Sequence, residues 1–424
     1  MKRVSFGVLP NGFRFYTQYS SQSHVGGIGV KAGSIHDPPN FRGMAHLTEH
    51  LLGTLDLEKE LKLEEYMCGP DEEINVRTNF VSTFYGCGLI LRREHVLDIF
   101  DMFASRLANP AARISEENID GARKLLAEQA AVHNEYFLRG KDLPEDELLA
   151  LVNFHMYETN PARNRVDCEP EELRSIRVGD MRKFVRSYYV AGNMFAVLLN
   201  IPFRKTRKLV EKYFGDLPAV GPPKPPTINE IRPALSGGKR IELCRPGTHQ
   251  FHVAIAFPTW PYGHKDDIAL DLLSEILRFR LRWRLRCENI EWEKGVYRAY
   301  AFTERTFAHG MVGAYFATLS KDFAERGIEI ILEECQRLKS EWVPNNEIVA
   351  MHNKLYNLHF DAFENSMGEL CEMIIDAVCN GDDEVRGLNS YVGSLSRVGK
   401  KTLIRVANEY LDTKNHLQVI IAPS

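Results

Sequence analysis

Arg42-Gly43-Met44-Ala45-His46-Leu47-Thr48-Glu49-His50-Leu51 is the stretch on which the chain is organised, and its inner five residues read H-x-x-E-H. On a helix His46 and His50, four residues apart, stand one above the other on one face. Two imidazoles so placed can bind one Zn²⁺. Glu49 follows His46 by three residues and flanks the same face, where a carboxylate can take a proton from a water beside the ion. This order is the inverted zinc-peptidase signature. The plain alternative is an amphipathic helix that carries two histidines by accident.

A catalytic zinc site needs a third protein ligand and one open position. The long helical pattern from Glu116 to Leu138 offers Glu128 and Glu135. They lie close to two turns apart, so both can face the site, yet they are separated by about 10 Å along the axis and cannot both bind one ion. Spacing alone does not choose between them. His133 points to a different face.

The rest of the chain gives these residues a setting. Its 424 residues suit two to three domains, or a duplicated pair. The net charge of −4 gives no global basic field for nucleic acid. No apolar run is long enough to span a membrane. The eight cysteines form no C-x-x-C pair, which fits a reducing compartment. With no signal or transit pattern at Met1–Phe6, the expected location is the cytoplasm.

Alternating apolar residues around Asn11-Gly12 predict a β-hairpin over residues 3–19. A strand follows from His24 to Lys31, then the His46 helix, then a charged helix over residues 57–67. Strands are expected at Ile74–Asn79 and Val81–Arg92, helices at Glu94–Leu107, Glu116–Leu138 and Val178–Tyr189, and an apolar strand at Met194–Leu199. Prolines 218, 222, 223, 225 and 226, with Gly237-Gly238, mark an extended linker.

The second half repeats the first. Ser187–Asn193 with its following strand resembles Glu409–Asn415 with its own. His24-Val25 falls on His252-Val253, and His46–His50 falls on Leu272-Leu273-Ser274-Glu275-Ile276, where both histidines are apolar. The pattern is a duplication with one copy stripped of its metal ligands. It predicts an α+β protein with domains at 1–217 and 239–424, joined by the linker at 218–238. Each would be an antiparallel sheet with helices on one face, and the two would close as a clamshell.

Leu9-Pro10-Asn11-Gly12, Ala32-Gly33-Ser34, His46–His50, Asn75 with Thr78, Asn109-Pro110, Tyr188–Asn193 and Tyr410-Leu411 together resemble the pitrilysin, insulin-degrading enzyme and mitochondrial processing peptidase family. The likeness is to its short two-domain branch and covers almost the whole chain. It implies a zinc endopeptidase acting on peptides or unfolded segments. The family pattern of a Glu, six residues and a ligand Glu assigns Glu135 as third ligand and Glu128 as its support. Asn75 would lie beside a peptide bound as an added strand. Tyr297 fits the family's carbonyl-holding Tyr, but its partner Arg position is Ile290. That gap points to a homodimer or heterodimer in which a homologous subunit supplies the missing group. The competing reading is a non-hydrolytic, peptide-binding or scaffold subunit.

The alternation of Arg278, Arg280, Arg282, Arg284 and Arg286 with Phe279, Leu281, Trp283 and Leu285 has two readings. One is a charged helix whose arginine stems pack while their heads reach water. The other is a basic wall that draws acidic peptides or a partner.

Overall fold

The structure is a computed structural model. It describes residues 2–19, 23–54, 61–62, 74–90, 92–138, 144–163, 166, 170–235, 237–288 and 296–424. The helix expected at 57–67 and position 290 lie outside these, apart from residues 61–62.

Leu9-Pro10-Asn11-Gly12 turns the chain between β1 (Ser5–Val8) and β2 (Arg14–Thr17), with Ser5 opposite Thr17. Gly12 takes φ +93°, a conformation that costs a residue with a Cβ. The Asn11 amide donates to the carbonyls of Phe214 and Leu217, so the turn is also an anchor. Then come β3 (His24–Val30), α1 (Met44–Gly53), β4 (Ile74–Thr78) and β5 (Thr83–Ile90). Helices α2 (Arg93–Leu107), α3 (Glu116–Leu138), α4 (Pro144–Met156) and α5 (Val178–Tyr188) lead to β6 (Met194–Leu199) and α6 (Phe203–Phe214).

The second half runs β7 (Lys239–Arg245), β8 (Phe251–Thr259), α7 (Asp267–Glu288), β9 (Val296–Arg305) and β10 (Gly310–Thr318). It finishes with α8 (Lys321–Ser340), α9 (Asn345–Glu364), α10 (Met367–Cys379), α11 (Arg386–Leu395), α12 (Lys400–Tyr410) and β11 (Leu417–Pro423). Among the described residues no helix is long and apolar enough to cross a membrane.

The two sheets have the orders β1-β2-β6-β3-β5-β4 and β7-β11-β8-β10-β9. Without β1, each strand of the first sheet matches the strand of the second whose number is five higher. The repeat read from short sequence matches is therefore a repeat of topology. The protein is α+β, but its sheets are mixed where antiparallel ones were expected. The last strand of each half inserts between two earlier ones, antiparallel to β3 or β8. That leaves it parallel to β2 or β7 on its other side.

Helices also cover both faces of each sheet. Val96, Ile99, Phe100 and Phe103 of α2 share one core with Ile28, Val30, Tyr85, Cys87, Ala196 and Leu198. Phe84, Phe195 and Val197 are also buried, and by strand alternation they point the other way. That opposite side of β3, β5 and β6 receives α10, an amphipathic helix from the second half of the chain. In the same manner α4, from the first half, lies on β8 and β11. The compact units are therefore not contiguous halves. One comprises residues 1–130, 165–227 and 358–389; the other comprises 131–164, 228–357 and 390–424.

Candidate metal centre

α1 has a reason to start and stop where it does. Gly43 enters it at φ +78°, and the Asp37 carboxylate accepts from Gly43 N at 2.7 Å and Ala45 N at 2.8 Å. Those amides are among the donors that a helix start leaves without partners. At the other end Arg106, buried on α2, donates to the carbonyls of Leu52, at 3.1 Å, and Thr54. Burial pushes the Asp37 carboxyl group up to about 7, against the hydrogen bonds from the first turn, and the Arg106 cation at the last turn matches the helix dipole. Met44, Leu47, Leu51 and Leu52 bury the inner stripe. Gly53 lets the helix approach β4 closely, because a Cβ there would stand 2.7 Å from Val76 Cγ1.

The outer stripe presents His46 and His50. Their Nε2 atoms are 3.3 Å apart. Two nitrogens each about 2.0–2.1 Å from one tetrahedral Zn²⁺ would stand about 3.3–3.4 Å apart, so the pair fits the ion before it arrives. The Glu49 carboxylate lies 3.7 Å from His46 Nε2. His46, Glu49 and His50 form the only cluster of metal-ligating type among the described residues, with ligand atoms within 4.8 Å of one another.

Burial, with the neighbouring His46, holds His50 down at about 4, which keeps its imidazole neutral and its lone pair available. Burial pushes Glu49 up to about 7, against hydrogen bonds from the Thr78 hydroxyl and Thr78 N–H. A carboxyl in that range can both take and return a proton near neutral pH. Beneath it the hydroxyls of Tyr85 and Tyr189 meet at 2.8 Å.

The other expected residues fall as follows. Glu128 is exposed on α3 and lies 3.9 Å from Lys124, one turn away; it is not part of the cluster. Its side chain is 61% exposed, and the Glu135 side chain that it is expected to support lies outside the described residues. Glu135 lies in the last turns of α3, Asn75 on β4 and Tyr297 on β9, and all three side chains lie outside the described residues. β4 is the outermost strand of its sheet among the described residues, the position from which strand addition is possible.

The copy of this site in the second half has no pair of imidazoles. Leu272, Leu273 and Ile276 are packed in a core, and Glu275 forms ion pairs with Arg278 and Lys354. Two further arginines of α7 are paired as well. Arg280 bridges Glu334 and Glu347, and Arg284 pairs with Glu333 and Glu334. This favours packed, paired arginines over a free basic wall.

Sequence reasoning missed Asp37, Arg106 and Thr78. An Asp shortly before a Gly-entered helix is a usable signal for the first. Nothing in the spacing announces the other two.

Residues 15–160 match the family described as Insulinase (Peptidase family M16), and residues 175–355 match the one described as Peptidase M16 inactive domain. The zinc protease PqqE of Helicobacter pylori is 22% identical over 93% of this chain and 86% of that protein. The zinc protease YmxG of Bacillus subtilis is 21% identical over 94% and 92%. The beta subunit of the mitochondrial-processing peptidase of Neurospora crassa is 25% identical over 63% of this chain and 55% of its own length. In three dimensions the chain is similar to a crystal structure of a protease from Helicobacter pylori, with TM-score 0.80, 20% identity and full coverage of both chains. It is similar too to a chain of complex III2 from Candida albicans, with TM-score 0.79 at 12% identity. With both halves matched and the H-x-x-E-H helix in place, this chain belongs to the M16 peptidase family as a two-domain member.

Proposed function

We propose that the protein is a zinc-dependent endopeptidase that cuts peptides or unfolded polypeptide segments. The observation that carries this reading is the 3.3 Å separation of the two Nε2 atoms beside a buried carboxyl group. His46 and His50 would hold the ion, with Glu135 as the third ligand that the family resemblance implies. When bound, Zn²⁺ polarises a carbonyl and makes nearby water more acidic. Glu49 takes the proton from the attacking water and returns it to the leaving amine. The β4 edge aligns the substrate as an added strand, with Asn75 beside it. Tyr297 would hold the substrate carbonyl, and a homologous partner would supply the arginine that Ile290 does not.

The relatives of known name support the peptidase reading at the level of the family. A second reading is a partner-dependent or non-hydrolytic subunit. It draws on likeness to a ubiquinol-cytochrome-c reductase complex core protein I of Euglena gracilis, 27% identical over 63% of this chain.

The test is cleavage of a fluorogenic peptide mixture by purified protein, with and without chelator, beside native mass spectrometry for zinc and subunit count. Glu49→Gln should keep zinc and lose hydrolysis, and His46→Ala should lose both. A Gln variant with near-normal turnover ends the assignment.

A further inference from the structure

The sequence of α6, Phe203–Phe214, divides the helix into two faces. Thr206, Val210 and Phe214 recur every four residues and are buried. Arg204, Lys208 and Lys212 recur at the same interval two positions earlier, so they stand on the opposite, solvent side. Lys205 lies beside Arg204 and within one turn of Lys208. At 1.5 Å per residue the row is about 12 Å long. In all, α6 carries five cations and one carboxylate, Glu211, in a chain of net charge −4. Among the described residues Arg204, Lys205, Arg207 and Lys208 form no ion pair, while Lys212 meets Asp101 at 3.5 Å and stays exposed.

This charge does nothing for the helix that bears it. The first turn of a helix favours carboxylates, and this one holds Arg204 and Lys205 and no acid. Like charges four residues apart, Arg204 with Lys208 and Lys208 with Lys212, repel each other. The helix is held from its other face, where Phe214 stacks on Phe13 with ring centroids 4.3 Å apart. At the start of α6 two aromatic side chains reach solvent beside the cations. Phe203 is 39% exposed, with its ring centroid 5.1 Å from that of Phe15, and Tyr19 is 65% exposed. Thr17 Oγ1 donates to the Ile201 carbonyl at 2.7 Å, and Asn200 N donates to the Gln18 carbonyl at 2.9 Å. These two bonds hold the end of β2, and Tyr19 after it, next to the turn into α6.

We propose that the outer face of α6 is a docking surface for a bilayer rich in anionic phospholipid. A row of cations is drawn to anionic headgroups, and aromatic rings settle at headgroup level, between water and hydrocarbon. Duplex nucleic acid would answer the charge and leave the two rings without a role. The apolar stripe of α6 is packed in the core, so the helix does not insert as a free amphipathic helix does. Charge brings the protein to the surface, and Tyr19 and Phe203 touch the interface. Such an association is shallow and reversible, and it needs no membrane-spanning helix. It depends neither on the metal centre nor on the peptidase reading.

The test is co-sedimentation of the full chain with vesicles of phosphatidylcholine alone and of phosphatidylcholine mixed with phosphatidylglycerol. Binding should require the anionic lipid and should fall as salt is raised. Lys205→Gln with Lys208→Gln should lower the partition coefficient roughly thirtyfold, at about fivefold for each cation. Lys205→Arg with Lys208→Arg keeps the charge and should bind like the wild type. Lys183→Gln with Arg186→Gln removes the same charge from exposed positions of α5 and should change binding little. Tyr19→Ser should weaken binding severalfold at a salt concentration where the wild type still binds. No binding to the anionic vesicles overturns the proposal. So does an equal loss from the α5 pair, which would make net charge the cause, and so does an unaffected Tyr19→Ser. Binding through Lys205 and Lys208 to a random-sequence DNA duplex or to polyglutamate, with none to vesicles, gives the row to another partner and overturns it as well.

Discussion

The Asp37 carboxylate and the Arg106 guanidinium hold opposite ends of the same ten-residue helix, α1. Asp37 comes from the loop before it and Arg106 from α2, and each meets backbone groups that the helix cannot satisfy itself. The imidazole pair is thus fixed along the helix axis by contacts outside the metal cluster. Asp37→Ala should cost roughly 1–2 kcal/mol, the range for losing a cap. Urea unfolding checks the stability, and zinc retained through dialysis checks the expected weaker hold on metal.

Gly53 sets how closely the same helix sits on β4. Adding a Cβ 2.7 Å from the stiff, branched Val76 forces a shift. Gly53→Ala should destabilise by about 1–3 kcal/mol, the usual cost of overpacking. Val76→Ala in the same molecule should recover part of it, because the two residues touch and their effects do not add. Thermal unfolding of the single and double variants decides.

The third ligand can be separated from its neighbour by metal content alone. Glu135→Gln should release zinc. Glu128→Gln should leave it bound, because the Glu128 carboxylate faces solvent and Lys124. Elemental analysis of both purified variants is the measurement, and zinc lost from Glu128→Gln with zinc kept in Glu135→Gln would reverse the assignment.

In the second unit, Arg280 lies between Glu334 and Glu347, whose side chains are 3% and 12% exposed. Removing the arginine leaves two enclosed carboxylates without their shared cation. Arg280→Ala should destabilise by about 3–5 kcal/mol. Zinc content should be unchanged, since no metal ligand is touched. Denaturant unfolding with parallel metal analysis checks both halves of the statement.

What was legible in the sequence was local. His46 and His50 could be paired because helix geometry alone puts residues four apart on one face. The repeat could be found because Leu272–Ile276 keeps the helix while losing the imidazoles, and the two strand orders bear this out. The parallel pairs were not legible, since they depend on where β6 and β11 insert, long after their neighbours are made. Nor was the destination of α10. An apolar stripe says that a helix covers something, and it does not say which sheet. Thr78 was hidden for the same reason: it reaches Glu49 through pairing of β4 with β5 and packing of α1 on both, none of which leaves a spacing to read.

Each half of the chain lends a wall to the other's sheet, α4 in one direction and α10 in the other. A gene severed at the proline-rich stretch would yield two fragments, each lacking a lid for one apolar surface and carrying a surplus helix with nowhere to lie. Expressed apart they should aggregate, and expressed together they should reassemble into one soluble particle. The same reciprocity suits descent from a pair of identical short chains that traded helices before one gene came to encode both, after which a single copy was enough to keep the imidazoles.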